Sequence, residues 1–434
     1  MRIAVWHNLP SGGGKRALFD QVRDLVARGH EVEAWCPPTA DRSYLPLSDV
    51  VREHVVPLML KAPSDSEPRL LRKLHPLHWS VRARLRAMNQ HCRECARQID
   101  AQGFDVLFAA CCMFFHTPTI ARFVKIPRVV YLQEPNRWFY ESSPELPWVA
   151  ISWSLKDLVD RHFWRRALVR RLKLPGLRLQ AREERINAMA YDQILVNSFF
   201  SRESILRAFG VDSKVCYLGV DTHKFVNQNK RREGFAVCLA ALLPPKNIEF
   251  LIDSLAKISA ARRPKLLLIA NIIYRPYLER IRKLADDKRV NIELKQRIDD
   301  AELIDILNRA RMMLYASRLE PFGYAPLEAN ACGLPVVAVA EGGVRETIVD
   351  GVNGLLVEHD HQRMADAIER LLVDDGLHKR LSQGACHLVQ ARWSLQSSGD
   401  ALERRLKAEL ARLRPELSAC EAAQATLVAQ PTQV

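Results

Sequence analysis

The chain has 434 residues, 48% hydrophobic and 26% charged, an ordinary globular composition with length for two α/β domains of about 200 residues each. No apolar run reaches the roughly eighteen residues of a membrane span, and the opening Met1-Arg2-Ile3-Ala4-Val5-Trp6 has no cationic leader before a long apolar core, so the expected location is cytoplasmic. The net charge of +14 favours negatively charged partners, but no nucleic-acid reading module and no platform of aromatics interleaved with basic residues accompanies it, which argues against nucleic acid.

In chain order, residues 2–7 predict a strand, 11–15 a glycine loop, 17–28 a helix with Leu18, Val22, Leu25 and Val26 at helical spacing, and 31–36 a second strand. This βαβ unit sets Gly13 and Gly14 in a turn where a phosphate or sugar can approach the backbone at a helix N-terminus. The turn is not a G-x-G-x-x-G, and its alternative role is a flexible connection. Residues 51–97 read as basic and helical, interrupted by His-Pro-Leu-His-Trp at 75–79, and 104–109 as a strand. A strand at 128–132 runs into Gln133-Glu134-Pro135-Asn136-Arg137-Trp138-Phe139-Tyr140, a polar and aromatic cluster suited to sugar contacts. His116, before Thr117-Pro118, offers an imidazole from a neighbouring loop and ranks below Gln133, since a lone histidine there also serves as a cap or packing group.

The ten cysteines read as reduced core residues. Cys92 and Cys95, with His91 beside them, form the one C-x2-C, and the absence of a second ligand pair nearby argues against a metal there. Residues 161–185 interleave nine basic side chains, among them Arg161, Arg165, Arg166, Arg171 and Arg178, with Trp164, Leu168 and Leu172, and Pro175-Gly176 is expected to cut the run in two. Two readings stand: a segment lying on an anionic bilayer, at the inner membrane face, and a solvated helix packing on its own domain. A strand at 193–197, a helix capped by Ser201, a strand at 215–220 and a polar linker at 227–233 follow.

The second half opens with a strand at 235–243 and a helix at 248–260. Lys246 stands at the mouth of the turn between them, where its ammonium can meet a diphosphate at a helix N-terminus. Strands at 265–270, 290–294 and 312–316 alternate with helices at 276–286 and 300–310, as a parallel sheet requires. Glu320 then stands where a strand leaves the sheet at its carboxyl end, the side on which open α/β sheets bind ligands. Pro326 suits a first helical turn, Gly333 and Pro335 stop that helix, and 336–339 is a buried strand. Glu328, near the helix N-terminus, is stabilised as an anion able to accept both hydroxyls of a ribose diol. A surface glutamate plus a capping one is the alternative, but the apolar, glycine-bent Pro321-Phe322-Gly323 loop seldom serves packing alone. Gly342 and Gly343 read as geometric. Helices at 362–372, 378–391 and 396–412 follow, and 415–434 lacks helical periodicity and reads as a frayed end.

The Glu320-x7-Glu328 spacing, inside Glu-Pro-Phe-Gly-Tyr-Ala-Pro-Leu-Glu-Ala-Asn-Ala-Cys-Gly-Leu-Pro, resembles the signature of the family 4 retaining glycosyltransferases, and residues 11–33 and 196–225 resemble the same family. The resemblance implies an α/β protein of GT-B fold, with two Rossmann-like doubly wound parallel-sheet domains facing a cleft. It divides the chain into an acceptor domain at 1–218, a hinge at 219–232, a nucleotide-sugar domain at 233–393, a helix at 394–414 crossing back to the first domain, and the tail. Glu320 would stabilise the cationic sugar with Gln133 at the acceptor side. Lys246, Glu328, Phe322, Gly323, Tyr324, Ala325, Leu327, Gly13 and Gly14 would hold the donor, Arg297 and Ile298 would frame its base, and Glu134, Arg137 and His116 would meet the acceptor. Two departures stand out: many members carry a histidine where this chain has Gln133, and Gly-Arg where it has Ala240-Ala241. The implied reaction moves a hexose-type sugar from a nucleoside-diphosphate sugar to a glycan or lipid-linked hydroxyl, with retention and without metal or other cofactor; no Asp-x-Asp pair stands out in the catalytic stretch. A sugar-nucleotide epimerase of the same fold and a non-catalytic binding protein are the rival classes.

Overall fold

The computed structural model describes residues 1–60, 77–141, 146–149 and 161–413. By its contacts the chain divides into two units, one of residues 1–196, 202–216 and 399 onward, the other of 197–201 and 217–398.

The first unit is built on a seven-stranded parallel sheet, β1 (Arg2–Asn8), β2 (Glu31–Cys36), β3 (Arg52–Val55), β4 (Val106–Cys112), β5 (Arg128–Tyr131), β6 (Gln193–Val196) and β7 (Lys214–Val215), in the spatial order β3-β2-β1-β4-β5-β6-β7. Ile3, Ala4, Val5 and Trp6 are fully buried on both faces of β1, as expected where helices cover both sides of a parallel sheet. The helices α1 (Gly13–Ala27), α2 (Leu77–Ala101), α3 (Arg161–Met189) and α4 (Phe199–Phe209) follow in sequence, residues 199–201 of α4 falling in the second unit. Met88, Cys92, Cys95 and Ile99 of α2 join Trp6, Trp35, Phe104 and Val130 in one core, each buried aliphatic contributing about 1.5–3 kcal/mol.

The second unit repeats the pattern with six parallel strands, β8 (Ala236–Leu239), β9 (Leu266–Ala270), β10 (Ile292–Gln296), β11 (Met312–Tyr315), β12 (Val336–Val339) and β13 (Gly354–Val357), ordered β10-β9-β8-β11-β12-β13. Helices α5 (Ile248–Lys257), α6 (Arg275–Lys288), α7 (Asp300–Arg309), α8 (Tyr324–Ala331), α9 (His361–Val373) and α10 (Asp375–Arg392) alternate with them, and α11 (Leu395–Leu413) closes the described chain. Its residues beyond Gly399 belong to the first unit, where Asp400 and Glu403 pair with Arg28 at 2.7 and 3.2 Å.

Four expectations need correction. The stretch 51–97 is not all helix, since Arg52–Val55 pairs with β2 as an edge strand; Glu53-His54-Val55-Val56 is long enough to complete the sheet and too polar to announce itself. Pro175 does not cut the basic helix, which runs unbroken from Arg161 to Met189: the polar contacts of its inner face given below offset the roughly 3 kcal/mol that the lost N–H bond and the ring's clash with the preceding turn cost. Ser198 rather than Ser201 caps α4, its hydroxyl accepting the Ser201 N–H at 2.9 Å. β10 begins two residues later than the expected strand at 290. Nine cysteines are free thiols among the described residues; the tail at 415–434, His75 and Pro76 lie outside them.

Candidate functional site

Both sheets reverse their strand order once, between β1 and β4 in the first unit and between β8 and β11 in the second. Loops leaving two such neighbours diverge to opposite faces and leave a crevice at the carboxyl edge.

In the second unit, β8 leads into a tight turn, Pro244–Lys246, followed by Asn247 in the left-handed region (φ 54°) and then α5. The turn carries Lys246 across to β11, where its ammonium forms an ion pair with the Glu320 carboxylate. Both side chains are about one-fifth exposed, at 23% and 19%, so the pair stays reachable from solvent. The backbone at Glu320 is clamped on several sides: Gly343 N–H donates to the Glu320 carbonyl at 2.7 Å, the Ser198 hydroxyl donates to the Pro321 carbonyl at 2.6 Å, and Leu319 N–H donates to Glu341 at 3.0 Å. The glycine pair follows from this approach. A Cβ on Gly342 would stand 2.5 Å from the Glu320 carbonyl oxygen, and one on Gly343 would stand 2.1 Å from that of Pro321.

Gly323, at φ 97°, starts α8, and Pro326 lies in its first turn as the sequence suggested. Glu328 is buried near this N-terminus, at 3% exposure. Phe322 and Leu327 are buried as well; Phe322 packs edge-on against Tyr324 and Trp393. Tyr324 and Ala325 are half-buried. Arg297 and Ile298 follow β10, the edge strand two places from β8; Arg297 is exposed, with φ 52°.

In the first unit a cavity of about 370 Å³ opens at the β1–β4 switch, lined by Gly12, Gly13, Gly14, Cys111, His116, Tyr131, Gln133 and Glu134. Gly12 adopts φ 136°, a conformation that favours glycine. The Gln133 carboxamide lies against Gly14, where a Cβ would sit 3.5 Å from Nε2. Desolvation lowers His116 to about 4, which keeps its imidazole neutral near pH 7. Arg137 is not part of this wall; it pairs with Glu141 at 2.6 Å, with Glu134 further off at 3.7 Å.

The cavity's histidine loop is held by residues that the sequence reading passed over. Along one face of α3, Gln180 donates to the Phe114 carbonyl at 3.0 Å, Glu184 accepts the His116 N–H at 3.1 Å, and Asn187 donates to the Thr117 carbonyl at 2.9 Å. One turn apart, Glu183 pairs with Arg122 at 2.9 Å. Burial pushes the Glu184 carboxyl up to about 7. Glu346 was passed over too: its carboxylate accepts the N–H groups of Phe199 and Phe200, at 2.9 and 3.0 Å, and the Tyr217 hydroxyl at 2.9 Å. A short polar spacing of Gln180, Glu184 and Asn187 was the available signal for the first group; nothing in the spacing announced the second.

The family model described as "Glycosyltransferase Family 4" matches residues 11–224, and "Glycosyl transferases group 1" matches 220–387. A mannosyltransferase of Corynebacterium glutamicum, named as GDP-mannose-dependent and acting on a monoacylated phosphatidylinositol monomannoside, is 29% identical over 261 residues, 54% of this chain and 66% of that protein. A D-inositol 3-phosphate glycosyltransferase of Xylanimonas cellulosilytica is 44% identical over 89 residues, 20% of this chain and 21% of its own length. The matches thus span from about a fifth to two thirds of such relatives. Among solved structures, Anabaena HepE in complex with UDP is 18% identical with TM-score 0.66, covering 94% of this chain and all of that one. A sucrose-phosphate synthase from Thermosynechococcus elongatus is 19% identical with TM-score 0.67, over 94% and 100% of the two chains. At this identity the likeness speaks to fold, and it is a two-domain GT-B fold.

Proposed function

The chain belongs to the family 4, group 1 glycosyltransferases, and from that premise we propose that it moves a hexose-type sugar from a nucleoside-diphosphate sugar to a hydroxyl of a glycan or lipid-linked acceptor, with retention and without a metal. The observation that carries this reading is the Lys246–Glu320 ion pair at the β8–β11 switch point. As a nucleoside diphosphate departs, negative charge grows on the phosphate and positive charge on the anomeric carbon, so the site needs a cation and an anion side by side. Lys246 supplies the first and Glu320 the second. With donor bound, the ammonium turns from its carboxylate partner to the pyrophosphate, and Glu320 is released to hold a sugar hydroxyl and face the cationic sugar. Glu328 takes the ribose diol, the backbone of Phe322, Gly323 and Leu327 supplies polar groups with Tyr324 and Ala325 beside them, and Arg297 with Ile298 bounds the base.

The cavity of the first unit takes the acceptor. Gln133, Glu134 and the neutral His116 suit uncharged hydroxyls, and Gly13 and Gly14, which the resemblance assigned to the donor, line the same cavity and let the acceptor approach closely instead. Relatives named for inositol phosphate and phosphatidylinositol mannoside support an acceptor of polyol character. The rival classes separate in one experiment: incubation with a panel of UDP- and GDP-sugars, each alone and with acceptor candidates. A transferase raises its melting temperature with one donor and consumes it for transfer only when acceptor is added; an epimerase converts the donor alone; a binding protein does neither.

The exposed side of α3 supports a peripheral membrane position at the cytoplasmic face. Trp164 and Leu168 stand out at 51% and 55% exposure, Leu172 lies one turn further, and Arg171, Arg178 and Arg182 share that exposed side. No helix among the described residues is long and apolar enough to cross a membrane. Each basic residue near an anionic surface contributes about 1 kcal/mol. Charge reversal at Arg171, Arg178 and Arg182 is therefore expected to abolish cosedimentation with phosphatidylglycerol vesicles, and unchanged binding would reject the membrane position.

A further inference from the structure

Beneath the glycine turn, and outside the cavity described above, three neighbouring strands bring together His7, Cys36 and Glu53, which lie 29 and 17 residues apart in the chain. Parallel pairing accounts for the meeting. Trp6 registers with Trp35, and Trp35 with His54, and these three point to the side where Trp35 stacks on His54 with ring centroids 4.5 Å apart. Because successive side chains alternate across a sheet, His7, Cys36 and Glu53 all fall on the opposite side, toward α1. One ligand atom from each lies within 4.8 Å of the other two. All three side chains are sealed from solvent: His7 and Cys36 are fully buried, and the Glu53 side chain is 1% exposed.

Two further observations separate this cluster from an ordinary buried ion pair. His7 Nε2 meets Glu53 at 3.1 Å, but its Nδ1 has no hydrogen-bond partner; nor has Nζ of Lys15, a fully buried side chain from the first turn of α1. Buried nitrogens without partners are costly, and both are lone-pair donors when neutral. Glu53 is oriented from behind by Arg42, 3.1 Å from its second oxygen, the kind of outer contact that aims a metal-binding carboxylate.

We propose that His7, Cys36 and Glu53 bind a zinc ion, with the fourth position taken by Lys15 Nζ or a water. One imidazole nitrogen, one thiolate and one carboxylate make a donor set that zinc accepts in tetrahedral geometry and that hard cations such as magnesium do not favour. Binding releases the Cys36 thiol proton to solvent, and the Lys15 ammonium proton as well where its amine is the fourth ligand, and the thiolate and the Glu53 carboxylate together balance the two charges of the ion. The site is structural: it ties β1, β2 and β3 together under the turn that carries Gly13 and Gly14, and takes no part in the metal-free transfer proposed for the β8–β11 crevice.

The test uses the full chain stripped of metal by a chelator and titrated with Co2+, a spectroscopic stand-in for zinc. One equivalent is expected to bring up the thiolate-to-cobalt charge-transfer absorption and tetrahedral visible bands, and Zn2+ to displace them. Cys36→Ser should remove the charge-transfer band, and Glu53→Gln should weaken binding by more than about tenfold, the least that altering even an outer contact of a zinc site costs. Cys92→Ser, in the C-x2-C that the sequence offers as the obvious competitor, should change nothing. Circular dichroism of each variant separates loss of the site from loss of fold. A missing charge-transfer band in the parent protein, a band that survives Cys36→Ser, or one that disappears with Cys92→Ser overturns the proposal.

Discussion

The two switch points have the same strand order and opposite chemistry. At β8–β11 the crevice holds a full positive and a full negative charge in contact; at β1–β4 it holds backbone glycines, a carboxamide, an imidazole kept neutral by desolvation and the carboxylate of Glu134, with no cation among the lining residues. The difference teaches that strand order fixes where a ligand can enter, while the loops decide what it can be. A site that must answer charge separation needs fixed ions. One that presents a neutral hydroxyl needs shape and hydrogen-bonding groups, and a second unscreened charge there would only attract the wrong partner.

The sharpest way to break this contrast is Glu320→Ala. Removing an electrostatic stabiliser of a transition state costs about a hundredfold to a thousandfold in turnover, whereas an ion pair still reachable by solvent contributes only about 1 kcal/mol to stability. Transfer assays should therefore collapse while the urea midpoint barely moves. Undiminished turnover would refute the role given to the charged crevice.

The second test concerns the neutral side. Because burial raises the Glu184 carboxyl to about 7 from an ordinary 4.5, the folded protein keeps a proton there that the unfolded chain gives up. Stability is fully present below the unfolded value and falls as pH rises through the folded one, by at most about 3 kcal/mol. Glu184→Gln removes that titration, so the parent should lose stability relative to the variant between about pH 5 and pH 8. Parallel stability profiles would show that α3 does not hold the histidine loop through a protonated carboxyl.

Gly343→Ala is the next largest. The added Cβ would stand 2.1 Å from the Pro321 carbonyl oxygen, and relieving such a contact with backbone costs about 2 kcal/mol. Urea denaturation should register that loss, and donor binding should weaken with it as Glu320 is displaced; Gly12→Ala, in the other unit, should leave donor binding unchanged. Lys246→Ala is expected to weaken nucleoside-diphosphate binding by about thirtyfold, in line with one hydrogen bond to a charged group. Calorimetry with UDP and GDP measures it, and an unchanged dissociation constant would move the diphosphate elsewhere.

Much of the fold and part of the site could be read before any coordinates. Alternation of apolar runs with helical periods was enough for two parallel sheets, because strands buried on both faces must be continuously apolar. β3 escaped this logic, being an edge strand with polar residues, and Pro175 misled it, because a local rule about proline carries no information on the contacts that hold α3. Glu320 and Lys246 were singled out from their positions at strand ends, and a sequence separation of 74 residues did not prevent their pairing, since β8 and β11 are neighbours.

The amino-acid order alone determined the class of fold, the strand ends that carry polar groups, and the glycines and prolines that punctuate the helices, because all of these depend on near neighbours in the chain. Tertiary structure alone decided which backbone Gly342 and Gly343 stand against, that Glu184 and Asn187 grip the loop of His116, and that His7, Cys36 and Glu53 converge under α1. Those outcomes rest on which strands lie side by side and on the pleat that turns every second residue to the same face, and neither is written in any local spacing.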